Sequence, residues 1–180
     1  MNQFYVLNTF FVRKLILLSL VGTIFLSHIV SAEMKGFEDF NGKSQVLENY
    51  VGQGKWLIVM MWASDCHICN REAHQYVDFH LIHSDTDATV LGISLDGESR
   101  KKEAKQFIKK HSVDFPNLIA EPEYVSSLYR ELTGQYFAGT PTFLIYSAEG
   151  ELKAAQAGAV PTTLIEDFIK KNHITKAVKK

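Results

Sequence analysis

Short apolar runs along the chain alternate with stretches in which apolar residues return at helical spacing. Lys55–Trp62 ("KWLIVMMW") is apolar throughout after its lysine, the pattern of a strand covered on both faces. From Cys66 to about His83, Ala73, Tyr76 and Val77 fall one helical turn or one residue apart, which predicts a helix. Thr89–Leu95 reads as a second buried strand. Glu98–His111 predicts an amphipathic helix, with Ala104, Phe107 and Ile108 on one side and lysines on the other. Pro141–Tyr146 is a further strand, which Ala148-Glu149-Gly150 turns into "ELKAAQAG". Leu164, Ile165, Phe168 and Ile169 are expected as the inner stripe of a last helix. Strand, helix, strand, helix, hairpin and helix make an α/β order with at least one parallel crossover. Such folds place their sites where strand ends meet helix N-termini, and Cys66 stands at one such junction.

The first 32 residues stand apart from this alternation. Arg13 and Lys14 precede an apolar stretch, Leu15–Leu26, and Val30-Ser31-Ala32 has the small-residue form of a signal-peptidase site. Residues 1–32 are therefore expected to be a signal peptide cleaved after Ala32, the alternative being an uncleaved membrane anchor. The apolar part is short for a span of about 20 residues. Either way the rest of the chain is carried across a membrane, which points to a periplasmic or otherwise exported location. Residues 33–180, 148 in number, have the size of one domain. They hold 17 basic and 20 acidic residues, a net charge of −3, with no basic stripe to suggest nucleic acid. The terminal "KKNHITKAVKK" reads as a solvated tail.

The chain has two cysteines, Cys66 and Cys69, in "WASDCHICNRE". A disulfide staple stabilises by closing a long loop, and a pair two residues apart closes almost none. The spacing therefore favours chemistry over stapling. At a helix N-terminus the free N–H groups and aligned peptide dipoles favour an anion, so Cys66 is expected to ionise below the ordinary thiol range, about 8.5. Cys66 would attack a substrate disulfide, and Cys69, one turn on and deeper, would resolve the mixed disulfide. Half of a zinc site has the same spacing, so a copper or zinc chaperone stays open as an alternative. His80 and His83 have metal-ligand spacing but would need two more ligands, and no metal site is expected. A peroxidatic cysteine usually follows a hydroxyl residue by three positions; here that position is Ala63.

A second stretch, "FAGTPTFLIY", sets Pro141 at the start of a strand, where a proline is tolerated. With a cis bond to Thr140, the Thr140 backbone would face outward and could pair with an extended client. Trp62 is expected to pack beneath the motif. Tyr129, Tyr136 and Phe137 could line a client groove or simply pack.

"WASDCHIC", the buried strand before it and "GTPTFLI" after it resemble the thioredoxin superfamily, in particular its exported TlpA/ResA-like thiol-disulfide oxidoreductases. The likeness spans about Gly52 to Ile169. It implies a thioredoxin-like fold with a central mixed β-sheet flanked by helices, Pro141 as a cis-proline, and Glu72 as a carboxylate that tunes the dithiol. It also implies an extra segment in the long interval between Cys66 and Pro141. Reductase action on apocytochrome c or other cysteine-containing clients follows from the same likeness, with a membrane thiol-electron donor as second partner and no cofactor. The chain departs from the pattern at Met60, where minimal thioredoxins bury an acid, at Asp65, where an aromatic is common, and at Ile68, where a proline is common.

The direction of electron flow is where local chemistry divides. A protonated His67 would favour the Cys66 thiolate and make the couple more oxidising. Asp65 and Glu72 would oppose it. Each such pair is worth on the order of 1 kcal/mol near a surface, and about 1.4 kcal/mol corresponds to 30 mV, so these opposed effects leave the direction to the resemblance. Disulfide oxidation or isomerisation by the same dithiol is the runner-up.

Overall fold

A computed structural model describes residues 36–178, with side chains up to Asn172. The expected leader, residues 1–32, lies outside the described residues. The elements in chain order are β1 (Phe37–Asp39), β2 (Ser44–Gln45), β3 (Trp56–Trp62), α1 (His67–His83), β4 (Ala88–Ser94), α2 (Lys101–Lys110), β5 (Asn117–Ile119), α3 (Pro122–Thr133), β6 (Thr142–Tyr146), β7 (Leu152–Ala157) and α4 (Thr162–Val178). The strands form one mixed sheet in the order β2-β1-β5-β4-β3-β6-β7. Strands β3, β4 and β5 run parallel, while β6 lies antiparallel to β3. The expected α/β sandwich of a mixed sheet between helices is therefore observed.

The continuous apolar run becomes the central strand because both of its faces are covered. Trp56, Ile58, Met60 and Trp62 face one layer, which holds Cys69, Ala73, Tyr76 and Phe79 of α1, Phe107 of α2 and Ile165 of α4. Leu57, Val59 and Met61 face the other, with Val125 and Tyr129 of α3. All seven β3 residues are buried, each large apolar side chain contributing about 1.5–3 kcal/mol. Trp62 stacks on Phe107, with ring centroids 4.2 Å apart, and its indole N–H donates to Asn117 Oδ1 at 3.1 Å. Gly92 on the neighbouring strand makes room for that bond. A Cβ there would stand 1.9 Å from Asn117 Oδ1 and 2.9 Å from Trp62 Nε1.

Three features differ from the sequence expectation. The extra segment expected before Pro141 is present, but as a strand–helix unit, β5 and α3, whose elements the apolar pattern did not place. The helix expected over Glu98–His111 opens as a 3₁₀ turn, Glu98–Arg100, and becomes α-helical at Lys101. The inner stripe of α4 consists of Ile165 and Ile169, one turn apart, with Phe168 half-buried beside them, whereas Leu164 is 59% exposed. Leu164 precedes Ile165 by one residue, a rotation of about 100° around the helix, which carries it off the buried face.

Candidate active site

Parallel pairing of β3 with β4 and antiparallel pairing with β6 bring three chain segments to one end of the sheet. Trp62 is level with Ser94, and Met61 is level with Thr142. Continuing those registers sets the start of the Cys66 motif beside Asp96 on one side and Thr140–Pro141 on the other. The site is thus assembled by strand register.

Cys66 is the N-cap of α1, and its sulfur accepts the Cys69 N–H at 3.0 Å. Cys66 is partly exposed, whereas Cys69 is wholly buried in the core beneath the helix. The two sulfurs are joined as a disulfide with a Cα–Cα distance of 5.2 Å. In the dithiol form, the N–H on Cys66 Sγ and the α1 dipole both favour its anion. The pair is asymmetric in access and electrostatics.

The loop between β3 and α1 is held by a buried carboxylate that no local pattern marks. Asp96 accepts the Ser64 N–H at 2.9 Å, the Ser64 hydroxyl at 2.7 Å and the Ser94 hydroxyl at 2.8 Å. Asn70, just after Cys69, fixes the other side of the loop by donating to the Ser64 carbonyl at 2.9 Å and the Cys66 carbonyl at 3.0 Å. Its own carbonyl accepts Lys110 Nζ and His111 Nε2, both at 3.0 Å. Arg100 donates to Asp65 Oδ2 at 2.6 Å and to Ser64 Oγ at 3.1 Å.

The remaining expected residues separate into near and committed groups. His67 is exposed at the first turn of α1. Asp65 is exposed, and its charge is closed by Arg100. Glu72 accepts Arg71 Nε at 2.8 Å and is also bonded by Gln75. The Thr140–Pro141 bond is cis, with Thr140 half-buried and Pro141 buried. Gly158 N–H donates to the Pro141 carbonyl at 2.9 Å, which fixes the β7–α4 loop beside it. Tyr129 is core, packed edge-on against Phe137, while Tyr136 is 79% exposed under Arg130. Met60, at the position where minimal thioredoxins bury an acid, is buried in the apolar layer with Cys69. Among the described residues the buried carboxylate is instead Asp96.

Two histidines, His80 and His111, are tied into the framework. The β4–β5 ladder begins at Gly92, and below it the Val90 N–H donates to His80 Nδ1 at 3.2 Å. A backbone N–H can only donate, so His80 Nδ1 must be bare and the ring neutral. Burial holds the His80 pKa below its ordinary 6.5, outweighing Asp114 and Asp85, which pull it up, while Lys55 adds to the lowering. His111 is lowered in the same way by burial, Lys110 and His74. Groups depressed on folding stabilise fully above the unfolded value and lose that contribution as pH falls through the folded one. Thermal unfolding should therefore show stability declining from pH 7 towards pH 5, and less steeply in His80→Gln. A flat profile over that range, or an unchanged slope in the variant, would count against the assignment. His83 is bonded to Asp87 at 2.9 Å, and among the described residues no group of three potential metal ligands comes together.

A mixed sheet with a cysteine pair at the N-terminus of the helix after its central strand defines the thioredoxin-like structural class, to which the thiol-disulfide oxidoreductases belong. The family model described as the AhpC/TSA family matches residues 28–155. The chain belongs to that family. Among solved structures it is similar to a thiol:disulfide interchange protein of the thioredoxin family from Chlorobium tepidum, with 20% identity, TM-score 0.62 and coverage of 77% of this chain and 92% of that one. It is also similar to a secreted disulfide oxidoreductase of Mycobacterium tuberculosis, with 19% identity, TM-score 0.55 and coverage of 72% and 91%. A third is the exposed lipoprotein thioredoxin of Streptococcus pneumoniae, with 23% identity, TM-score 0.56 and coverage of 75% and 96%. A sequence search of curated proteins returns no match.

Proposed function

We propose that the chain is an exported protein thiol-disulfide oxidoreductase working in the reducing direction. The observation that carries the exchange chemistry is the asymmetry of the pair, a partly exposed Cys66 sulfur capped by an N–H over a fully buried Cys69; the reducing direction rests on the resemblance to TlpA/ResA-like proteins. The Cys66 thiolate attacks one sulfur of a client disulfide, and the other client sulfur leaves as a thiolate and takes up a proton. Cys69, after losing its own proton, attacks Cys66 Sγ and frees the second client thiol. The client gains two electrons and the Cys66–Cys69 pair is oxidised, to be re-reduced by a membrane dithiol donor. Thr140 and Pro141 are the proposed client-binding positions, because the β3–β6 register sets them level with the start of the motif.

Export rests on the leader reading, with residues 1–32 as signal peptide or anchor and residues 33–180 as the thioredoxin-like domain. Similarity to a secreted protein and to an exposed lipoprotein supports it. Among the described residues no helix is long and apolar enough to cross a membrane. Cysteine-containing clients such as apocytochrome c fit the reducing direction, and the reaction as written needs no cofactor.

The test is the reduction potential of the pair, equilibrated against glutathione at pH 7. A potential of about −270 mV, the thioredoxin end of the range, is expected. A potential of about −120 mV would turn the reading to an oxidase or isomerase. Absence of a reversible couple, together with stoichiometric Cu(I) or Zn(II) binding lost in the double cysteine-to-serine variant, would overturn it in favour of a metal chaperone.

A further inference from the structure

Arg100 reaches the motif from the far side of the site. It ends the 3₁₀ turn after β4, 35 residues from Asp65 in sequence, and its guanidinium lies across the loop that leads into Cys66. One arm donates to Asp65 at 2.6 Å and the other to Ser64 Oγ at 3.1 Å, while Nε stands 3.6 Å from the buried Asp96 carboxylate. Asp96 in turn grips Ser64 by its N–H and its hydroxyl. The guanidinium therefore has a fixed seat at its base and one exposed anion to close.

That anion immediately precedes Cys66. A bare carboxylate at this point opposes ionisation of the neighbouring thiol, and a carboxylate paired with a cation does so far less. The other charged groups around the cleft are Glu103 and Lys110 of α2, which line it with Asp65 and Arg100. Lys110 is already held by Asn70 at 3.0 Å, and Arg100 is the cation bonded to Asp65.

We propose that Arg100 is a positioning residue of the dithiol, which sustains the Cys66 thiolate by closing the Asp65 charge. The proposal rests on the reading of Cys66 as the attacking cysteine. It makes the reactivity of the pair a property of the β4–α2 turn as well as of the CxxC motif.

The test is alkylation of Cys66 by iodoacetamide in the reduced full chain at pH 7 and low salt, with peptide mass spectrometry to separate Cys66 from the buried Cys69. Arg100→Gln should slow the reaction about three- to fivefold, the scale of one exposed charge pair. Adding Asp65→Asn to Arg100→Gln should restore the wild-type rate, because the unbalanced anion is gone. Arg100→Lys keeps the cation and should stay near wild type, and the Arg100→Gln deficit should shrink in high salt. An unchanged rate in Arg100→Gln, or a slowed rate that Asp65→Asn fails to restore, would overturn the proposal, the latter marking Arg100 as a packing group only. Asp65→Asn alone offers a variant that leaves the Asp96 anchor intact; it should react faster than wild type, and an equal rate also counts against the idea. Alkylation needs no turnover, so a chain that proved inactive on client disulfides would defeat the functional proposal and leave this measurement readable.

Discussion

Cys66→Ser is expected to lose reduction of insulin disulfides down to background, while Cys69→Ser accumulates mixed disulfides through Cys66. The two outcomes differ because the two sulfurs occupy different environments. Cys66 is the partly exposed one, at the N-cap of α1 with the Cys69 N–H on its sulfur. Without it no client sulfur can be attacked. Cys69 has no exposure, so a client disulfide cannot reach it, and its role is confined to attack on Cys66 from within. Removing it leaves the first exchange intact and abolishes the second, which traps the client covalently. A serine at 69 would also place a hydroxyl in the apolar layer, costing about 1–3 kcal/mol, so Cys69→Ala is the cleaner trap. The measurement is non-reducing electrophoresis of the variant after incubation with oxidised client. If Cys69→Ala traps nothing and Cys66→Ala does, the order of attack is reversed.

The second large effect is expected at Asp96. Its carboxylate is fully buried and accepts hydrogen bonds from the Ser64 N–H, the Ser64 hydroxyl and the Ser94 hydroxyl. Asp96→Ala strands these donors where water does not replace the acceptor, and equilibrium urea unfolding should register a loss of about 3 kcal/mol. Asp96→Asn should cost much less. Its carbonyl can take the position of Oδ2, which accepts the Ser64 N–H and the Ser94 hydroxyl, while its amide meets a Ser64 hydroxyl that can turn. Equal losses in the two variants would mean that the charge, not the acceptor pattern, holds the loop. A negligible loss in Asp96→Ala would remove Asp96 from the framework altogether.

Much of this molecule could be read in advance, for reasons that differ from element to element. Strand β3 was legible because a strand covered on both sides has no polar interruptions, and α1 because Ala73, Tyr76 and Val77 return at helical spacing, the first two entering the core layer and Val77 packing against it. Helix α3 carried a signal that periodicity alone passed over. Pro122 opens it and Gly134, at φ +70°, closes it, the usual asymmetry of helix ends. Strand β5 has three residues and β2 two, too few for any alternation to register. Within the site, the cysteines announced themselves by spacing and Pro141 by its place at a strand start. Asp96, Arg100 and Asn70 did not. Their contacts depend on Trp62 lying level with Ser94 and on a 3₁₀ turn that swings Arg100 back over the loop, and no local pattern encodes either. Asp65 was visible as a charge beside Cys66, but its partner was not, so its expected influence was read without the cation that closes it.

The burial of Cys69 has a consequence for how the protein matures. Its sulfur lies in a layer built from Trp62, Ala73, Tyr76, Phe79 and Phe107, and the cross-link to Cys66 spans only the two residues between them. Apolar contacts bring that layer together, and so short a ring adds little to chain entropy in either oxidation state. Folding can therefore finish before any oxidant acts. On the proposed reading, a chain exported with both thiols free can fold first, and its first disulfide can then be one taken from a client.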